Sequence, residues 1–309
     1  MKKRWCQAVD ALREEFPDES VETLCGLFDK RRQYYYIKVK RIYTDQQREK
    51  LMLAYVDYYR LMAPRIGGVK LHVLLEADLG RDVVRGRDSF LDFLSHNGRM
   101  LPKKKPRHTT DSNHVYFKYP NLTVGLVAEC PNHVWYADIT YIWIEGDVLY
   151  LHLITDGYSH AVLGWCLSET LEAENTVEAL QMAIRTAGGG NLCGTIHHSD
   201  RGVQYACQKY IGILMEHHIR ISMTECYNPT DNAIAERMNG ILKDEWLYHQ
   251  AMFSDYAEAL REIASMIDFY NNVRPHMSIG NKKPMDVYNG EVPGKNLWKK
   301  KDKYLHGKK

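Results

Sequence analysis

The sequence predicts an α/β core, a mixed five-stranded sheet with helices on both faces, preceded by all-α helix-turn-helix modules. Three observations predict it. Near Val134 the texture changes from short helical signals to long apolar runs alternating with amphipathic helices. Beyond that point the elements run strand, strand, strand, helix, strand, helix, strand, helix. The charge also divides: residues 1–107 hold 23 Lys/Arg against 15 Asp/Glu, residues 108–290 hold 11 against 22, and residues 291–309 hold 7 against 2. Basic ends suit modules that attract a polyanion, and a carboxylate-rich centre needs cations before it can approach phosphate.

In the first third, residues 7–16 and 21–28 space their apolar side chains as helices do, with Asp18 and Ser20 as candidate N-caps for the second. A third helix is expected to start near Lys30. Its Arg31, Arg32, Gln33 and Tyr34, followed by Lys38, Lys40 and Arg41, suit phosphate or base-edge contacts. The pattern fits a three-helix DNA-binding unit and equally a small helical bundle with a basic face. Thr44 and Gln47 form a capping-box signal, so a new helix is expected to open there and run to about Met62. Gly67 and Gly68 then precede an apolar run over 69–75, and Arg85 to Arg87 precede another helix around Phe90 and Phe93, a second helix-turn-helix-like module. Residues 102–107, Pro-Lys-Lys-Lys-Pro-Arg, read as a basic linker able to lie along DNA. The expected divisions are therefore 1–43 and 44–100 for the helical modules, 101–130 for the linker, 131–290 for the core and 291–309 for a basic tail.

Within the core, strands are expected over 134–144 and 148–155, joined by a turn at Glu145, Gly146 and Asp147, and over 161–167. A helix over 173–186 stops at Gly188, Gly189 and Gly190. A short buried strand over 195–200, a helix over 204–218, a strand over 220–224 and helices at about 232–248 and 255–271 complete the order. That is the element order of the ribonuclease H fold.

Composition excludes several classes. No apolar run approaches the roughly eighteen residues needed to cross a bilayer, and the charged start lacks the apolar stretch of a secretory signal, so a cytoplasmic location with no membrane partner is expected. The seven cysteines are scattered without a Cys-x-x-Cys pair and read as reduced and mostly buried. The His197-His198 and His217-His218 pairs have no ligand at zinc spacing beside them and read as structural.

Three acids stand out. Asp138 lies inside the first strand, where a lone carboxylate is costly to bury without a cation or partner. Asp200 ends the fourth strand, and ligands gather at the carboxyl ends of strands in such sheets. On the helix after 228–232, Asn232, Glu236, Asn239 and Lys243 fall at i, i+4, i+7 and i+11, one polar stripe opposite Ile234, Met238, Ile241 and Leu242. One helix alone fits a metal-binding face or a solvated one. Asp156 reads as a turn residue before Gly157 in preference to a fourth acid, and His198, Gln204 and Tyr205 as side chains packed around Asp200.

The stretches W-x-x-D-I-T-Y at 135–141, H-S-D-R-G-x-Q-Y at 198–205, D-N-A-x-x-E-R-x-x-G-x-L-K at 231–243 and Y-N-x-x-R-P-H-x-S-I-G at 270–280 resemble the core of insertion-sequence transposases of the OrfB type. Thirty-five residues separate Asp200 from Glu236, the spacing of the D,D-35-E signature shared with retroviral integrases. The resemblance implies that Asp138, Asp200 and Glu236 are catalytic and hold two Mg2+ ions, with Mn2+ as a substitute and Asp138 bridging both. It implies Lys243 as a contact to transposon-end DNA, and Arg274 and His276 as residues that bind DNA or brace the site, beside Arg31 and Arg32 from the residue pattern. The implied activity is metal-dependent cleavage at transposon ends and strand transfer into target DNA. The partners implied are double-stranded DNA, further copies of the chain, and an upstream OrfA-type product or frameshift fusion, since no sustained heptad pattern occurs here. A ribonuclease-H-fold nuclease that only hydrolyses, and a catalytically inactive DNA-binding regulator, are the competing expectations.

Overall fold

The computed structural model describes residues 5–101, 119–224, 233–249 and 252–297. The basic stretch 102–107, the helix-opening segment 228–232 and the last twelve residues of the predicted tail lie outside the described residues.

The described residues open with six helices: α1 (Trp5–Glu15), α2 (Val21–Gly26), α3 (Arg32–Met62), α4 (Gly68–Leu79), α5 (Arg81–Val84) and α6 (Arg87–His96). Ser20 caps α2 as expected, its hydroxyl accepting from the Thr23 amide at 3.0 Å. Thr44 does not open a new helix. It sits in the middle of the 31-residue α3 and its hydroxyl donates to the Lys40 carbonyl one turn back, so the capping-box pattern is overridden by continuous helical backbone. Two apolar clusters anchor α3 at its ends. Tyr35 packs with Cys6, Val9, Leu24 and Cys25, whereas Met52, Val56 and Tyr59 join a cluster with α4, α6 and the sheet region.

Then come β1 (Val134–Ile144), β2 (Asp147–Asp156), β3 (Val162–Ser168), α7 (Ala173–Thr186), β4 (Ile196–Ser199), α8 (Val203–Ala206), α9 (Gln208–Glu216), β5 (Arg220–Met223), α10 (Ala233–Glu245), α11 (Tyr256–Asn272) and α12 (Pro284–Tyr288). The five strands lie in the order β3-β2-β1-β4-β5. The β1–β2 and β2–β3 pairs are antiparallel, and β4 joins β1, and β5 joins β4, in parallel. This is the mixed sheet that the element order predicts. The expected single helix over 204–218 is two: Cys207 takes an extended conformation and its sulfur caps α9 by accepting from the Tyr210 amide.

Alternation along the strands distributes the core to both faces. Trp135, Ala137, Ile154 and Leu163 pack on α7 and α9, while Ile142, Leu149, Leu151 and Leu153 pack beneath α10 and α11. The first layer is close enough to require a glycine. A Cβ on Gly164 would stand 2.1 Å from the Ala179 carbonyl and 2.6 Å from the Ala183 amide of α7. Gly164→Ala is therefore expected to force β3 and α7 apart, at a cost of about 1–3 kcal/mol in denaturant unfolding.

Tyr119 onward is not a free tether. Pro120 accepts from the Met223 amide, Leu122 donates its amide to the Ser222 hydroxyl, and Leu122 and Leu126 cover Val134, Tyr136 and Ile196. The described part of the predicted linker is thus laid along β5 by apolar side chains that its basic neighbours obscured.

Candidate active site

Asp138 is the fifth residue of β1, on the face that α10 covers. The parallel register pairs Val134 with Ile196, Trp135 with His197 and Tyr136 with His198, and continued by two residues it aligns Asp138 with Asp200. Residues two apart on a strand share a face, and neighbouring strands lie about 4.8 Å apart. The Tyr136 and His198 rings, edge to face at 5.7 Å, mark that shared face. Asp200 follows β4 directly. Its Oδ1 accepts from the Gly202 amide at 2.9 Å, and a side chain at 202 would crowd that oxygen at 3.0 Å, which accounts for the glycine.

Helix α10 crosses the same face. Asn239 donates from Nδ2 to Asp138 Oδ2 at 2.6 Å, while Asp138 Oδ1 accepts from the Ile139 amide at 2.9 Å. Glu236 lies one turn before Asn239 and Lys243 one turn after, so the polar stripe read from the sequence faces Asp138. Ala235, Met238, Ile241 and Leu242 supply the buried side of the helix. Glu236 is exposed and Lys243 half-buried.

The electrostatics follow from this crowding. Burial, then the charge of Asp200, pushes the Asp138 carboxyl up to about 7; the Ile139 and Asn239 donors work against this, and Glu236 adds to it. Burial also raises Glu236. Burial lowers Lys243, and the negative charge of Asp138 opposes that shift. Tyr205 is raised by burial and then by Asp200. Among the described residues, no three His, Cys, Asp or Glu side chains stand close enough to hold one metal ion together. The donor chemistry nevertheless suits a hard divalent cation. Asp138, half-buried and disfavoured as an anion by the charges of Asp200 and Glu236, gains from a cation that replaces the missing solvent.

The remaining expectations divide. Arg31 and Arg32 are exposed at the start of α3, with Arg32 3.8 Å from the exposed Glu22. Arg274 and His276, expected either to bind DNA or to brace the site, are both buried. Arg274 is 1% exposed and grips Glu245 with a two-pronged fork, Nε to Oε2 at 2.7 Å and Nη2 to Oε1 at 2.8 Å. His276 is 4% exposed and stacks on His160 with ring centres 4.5 Å apart. Tyr270 and Asn271 of the same motif also turn inward. The Tyr270 hydroxyl donates to the His160 carbonyl, and the Asn271 amide pairs with both backbone groups of Val162 at 2.9 Å, completing the hydrogen bonding at the edge of β3.

Asp156 serves its turn. It is fully buried, and its carboxylate accepts from the Asn132 and Ser159 amides and from the Ser159 hydroxyl. His197 bonds the Tyr210 hydroxyl, and burial lowers its pKa to about 3; His198 bonds Ser222. Neither forms part of a metal cluster among the described residues. The six described cysteines are free, three of them buried. No helix among the described residues is long and apolar enough to cross a membrane.

Sequence reasoning missed three side chains at this site. Asn239 was visible on the polar stripe but had no assigned partner. Glu245 and its second cation, Lys70 of α4, carried no signal at all, because their meeting spans 175 positions.

A mixed five-stranded sheet in the order β3-β2-β1-β4-β5 with helices on its faces is an integrase-like core. Two family models, each described as an integrase core domain, match residues 128–229 and 217–284. The 31 kDa protein of insertion element IS600 from Shigella sonnei is 39% identical over 188 residues, covering 60% of this chain and 68% of that protein. The chain belongs to the integrase-core family of insertion-element proteins. A putative transposase of element IS986/IS6110 from Mycobacterium tuberculosis is 30% identical, over 51% of this chain and 58% of that relative's length. The HTLV-2 integrase catalytic core domain, solved in complex with magnesium, is 21% identical with a TM-score of 0.40, covering 52% of this chain and 97% of that one.

Proposed function

We propose that the chain is a DNA transposase of the OrfB type, a DDE polynucleotidyl transferase that cleaves at transposon ends and joins the freed 3′ end to target DNA. The observation that carries the reading is the convergence on one face of the sheet. The β1–β4 register aligns Asp200 with Asp138, and the Asn239 bond sets α10, with Glu236 and Lys243, across them.

In this reading Asp138, Asp200 and Glu236 hold magnesium, with manganese as a substitute, and the D,D-35-E spacing is the sequence trace of that set. A divalent cation held there would supply charge stabilisation for the attacking and leaving oxygens of the displacement. The chain's own side chains do the rest. Asn239 fixes the direction of one Asp138 oxygen. Lys243, on the same stripe, is placed to meet a phosphate, and its half-buried ammonium is strengthened as a phosphate partner by exclusion of water. No side chain serves as a covalent nucleophile; water attacks in cleavage and a DNA 3′-hydroxyl attacks in joining.

Arg31 and Arg32 contribute to DNA binding by the helical region, and the basic segments 101–107 and 291–309 supply sequence-independent attraction. The helical modules 1–43 and 44–100 and the core 131–290 act as a continuous assembly on double-stranded transposon and target DNA. Further copies of the chain, and an OrfA-type partner or fusion, provide the multimer. The test is a strand-transfer assay with a precut end oligonucleotide and Mg2+. Joined products are expected; hydrolysis without joining would assign a nuclease, and DNA binding without either would assign a regulator.

A further inference from the structure

The carboxylate of Glu245 is an odd ending for α10. A negative charge in the last turn opposes the helix dipole, and this one is buried as well. Burial alone would raise its pKa, but the Arg274 guanidinium and then the Lys70 ammonium overcome that and hold it at about 2. Arg274 already satisfies both oxygens with its fork. Lys70 adds a second cation to Oε1 at 2.5 Å, in a place where burial and the nearby Arg274 charge pull its own pKa down to about 8. The buried carboxylate therefore already has a bidentate partner without Lys70.

What Lys70 adds is a link between two parts of the chain. It comes from α4 in the helical region, whereas Glu245 ends the helix that carries Glu236, Asn239 and Lys243. Two further bonds run the same way: the Arg65 amide donates to the Glu245 carbonyl at 3.0 Å, and the Trp246 indole donates to the Met62 carbonyl at 2.6 Å. The segment between α3 and α4 therefore grips the C-terminal end of α10. A helix transmits axial displacement with little loss, and Glu236 stands nine residues up α10, roughly 14 Å along its axis.

We infer that Lys70 is a positioning residue for the active site: through Glu245 it sets how far α10 lies along β1, and so where Glu236 and Asn239 stand over Asp138. The helical region is then part of the scaffold of the acids as well as a DNA-binding module, and movement of α4 on DNA is passed to the acidic centre. The inference rests on the proposed function of the three acids.

The experiment uses the full chain as wild type, Lys70→Met, Lys70→Arg and Asp138→Asn, with two readouts. The first is Mn2+ affinity from the free-ion electron paramagnetic resonance signal. The second is amide hydrogen exchange across 236–243 without added metal. Wild type is expected to bind Mn2+ and Asp138→Asn to lose it. Lys70→Met is expected to bind about 10-fold more weakly, the range for residues that orient metal-binding side chains, with faster exchange in 236–243. Lys70→Arg should restore both. If Lys70→Met does not fold, Lys70→Gln carries the same comparison. A folded variant with unchanged exchange and unchanged Mn2+ affinity overturns the inference, whatever its melting temperature. Failure of wild type to bind Mn2+, or equal binding by Asp138→Asn, overturns the metal reading instead, and the exchange readout still decides the role of Lys70.

Discussion

Asp138→Asn is expected to abolish divalent-ion-dependent DNA cleavage, by at least about 10^3-fold, and at the same time to make the folded protein more stable at pH 8. Both effects have the same origin. The folded Asp138 carboxyl titrates near 7 against an ordinary 3.8, because it is buried and faces Asp200 and Glu236. Between about pH 4 and pH 7 the unfolded chain has released this proton while the folded chain keeps it, so wild-type stability falls as pH rises through that window. The upper bound is about 4 kcal/mol for a shift of roughly three units, and the partial exposure of Asp138 reduces it to about 1–2 kcal/mol. Asparagine carries no charge and removes the penalty. Thermal unfolding at pH 5 and pH 8 should show the variant gaining a few degrees on wild type at the higher pH and less at the lower. Added Mg2+ should raise the melting temperature of wild type and leave the variant unmoved, and DNA binding should survive in both. Unchanged cleavage by Asp138→Asn would remove Asp138 from the catalytic set.

Arg274→Ala is expected to have the largest effect on stability, about 3–5 kcal/mol at neutral pH, because it leaves the Glu245 carboxylate buried without its fork. Lys70 remains as a single-point partner and does not replace a bidentate one. The sign with pH is the reverse of that for Asp138. The Glu245 pKa is depressed, so its contribution is fully present above the ordinary carboxylate range and is lost as pH falls from about 4.5 toward 2. A melting temperature lower by about 10 °C at pH 7, with the difference shrinking in acid, is the expected result. If Arg274 instead touched phosphate, Arg274→Ala would leave the melting temperature alone, weaken DNA binding and reduce its salt dependence by about one ion. That pattern would refute the brace.

The strands of the core and the polar stripe of α10 were legible because both depend on local sequence pattern. The long apolar runs at 134–144 and 148–155 and a polar set at i, i+4, i+7 and i+11 in 232–243 are properties of the chain that packing only had to accept. Where local signals competed, tertiary contacts chose between them. Thr44 and Gln47 carry the chemistry of a helix start, yet α3 runs through them because its two ends are anchored in separate apolar clusters. Cys207 interrupts an otherwise helical stretch by taking the capping role usually read from Ser or Asp.

By itself, then, the sequence determined the order of elements, the extent of the core strands and the polar stripe of the helix at 232–243. Those follow from backbone geometry, which repeats every two or 3.6 residues. Only the tertiary structure decided that Asn239 meets Asp138, that Arg274 and His276 turn inward, and that Lys70 reaches Glu245. Each of these depends on which distant side chain shares a buried space, and the cost of leaving a charge or donor unpaired there has no signature in local spacing.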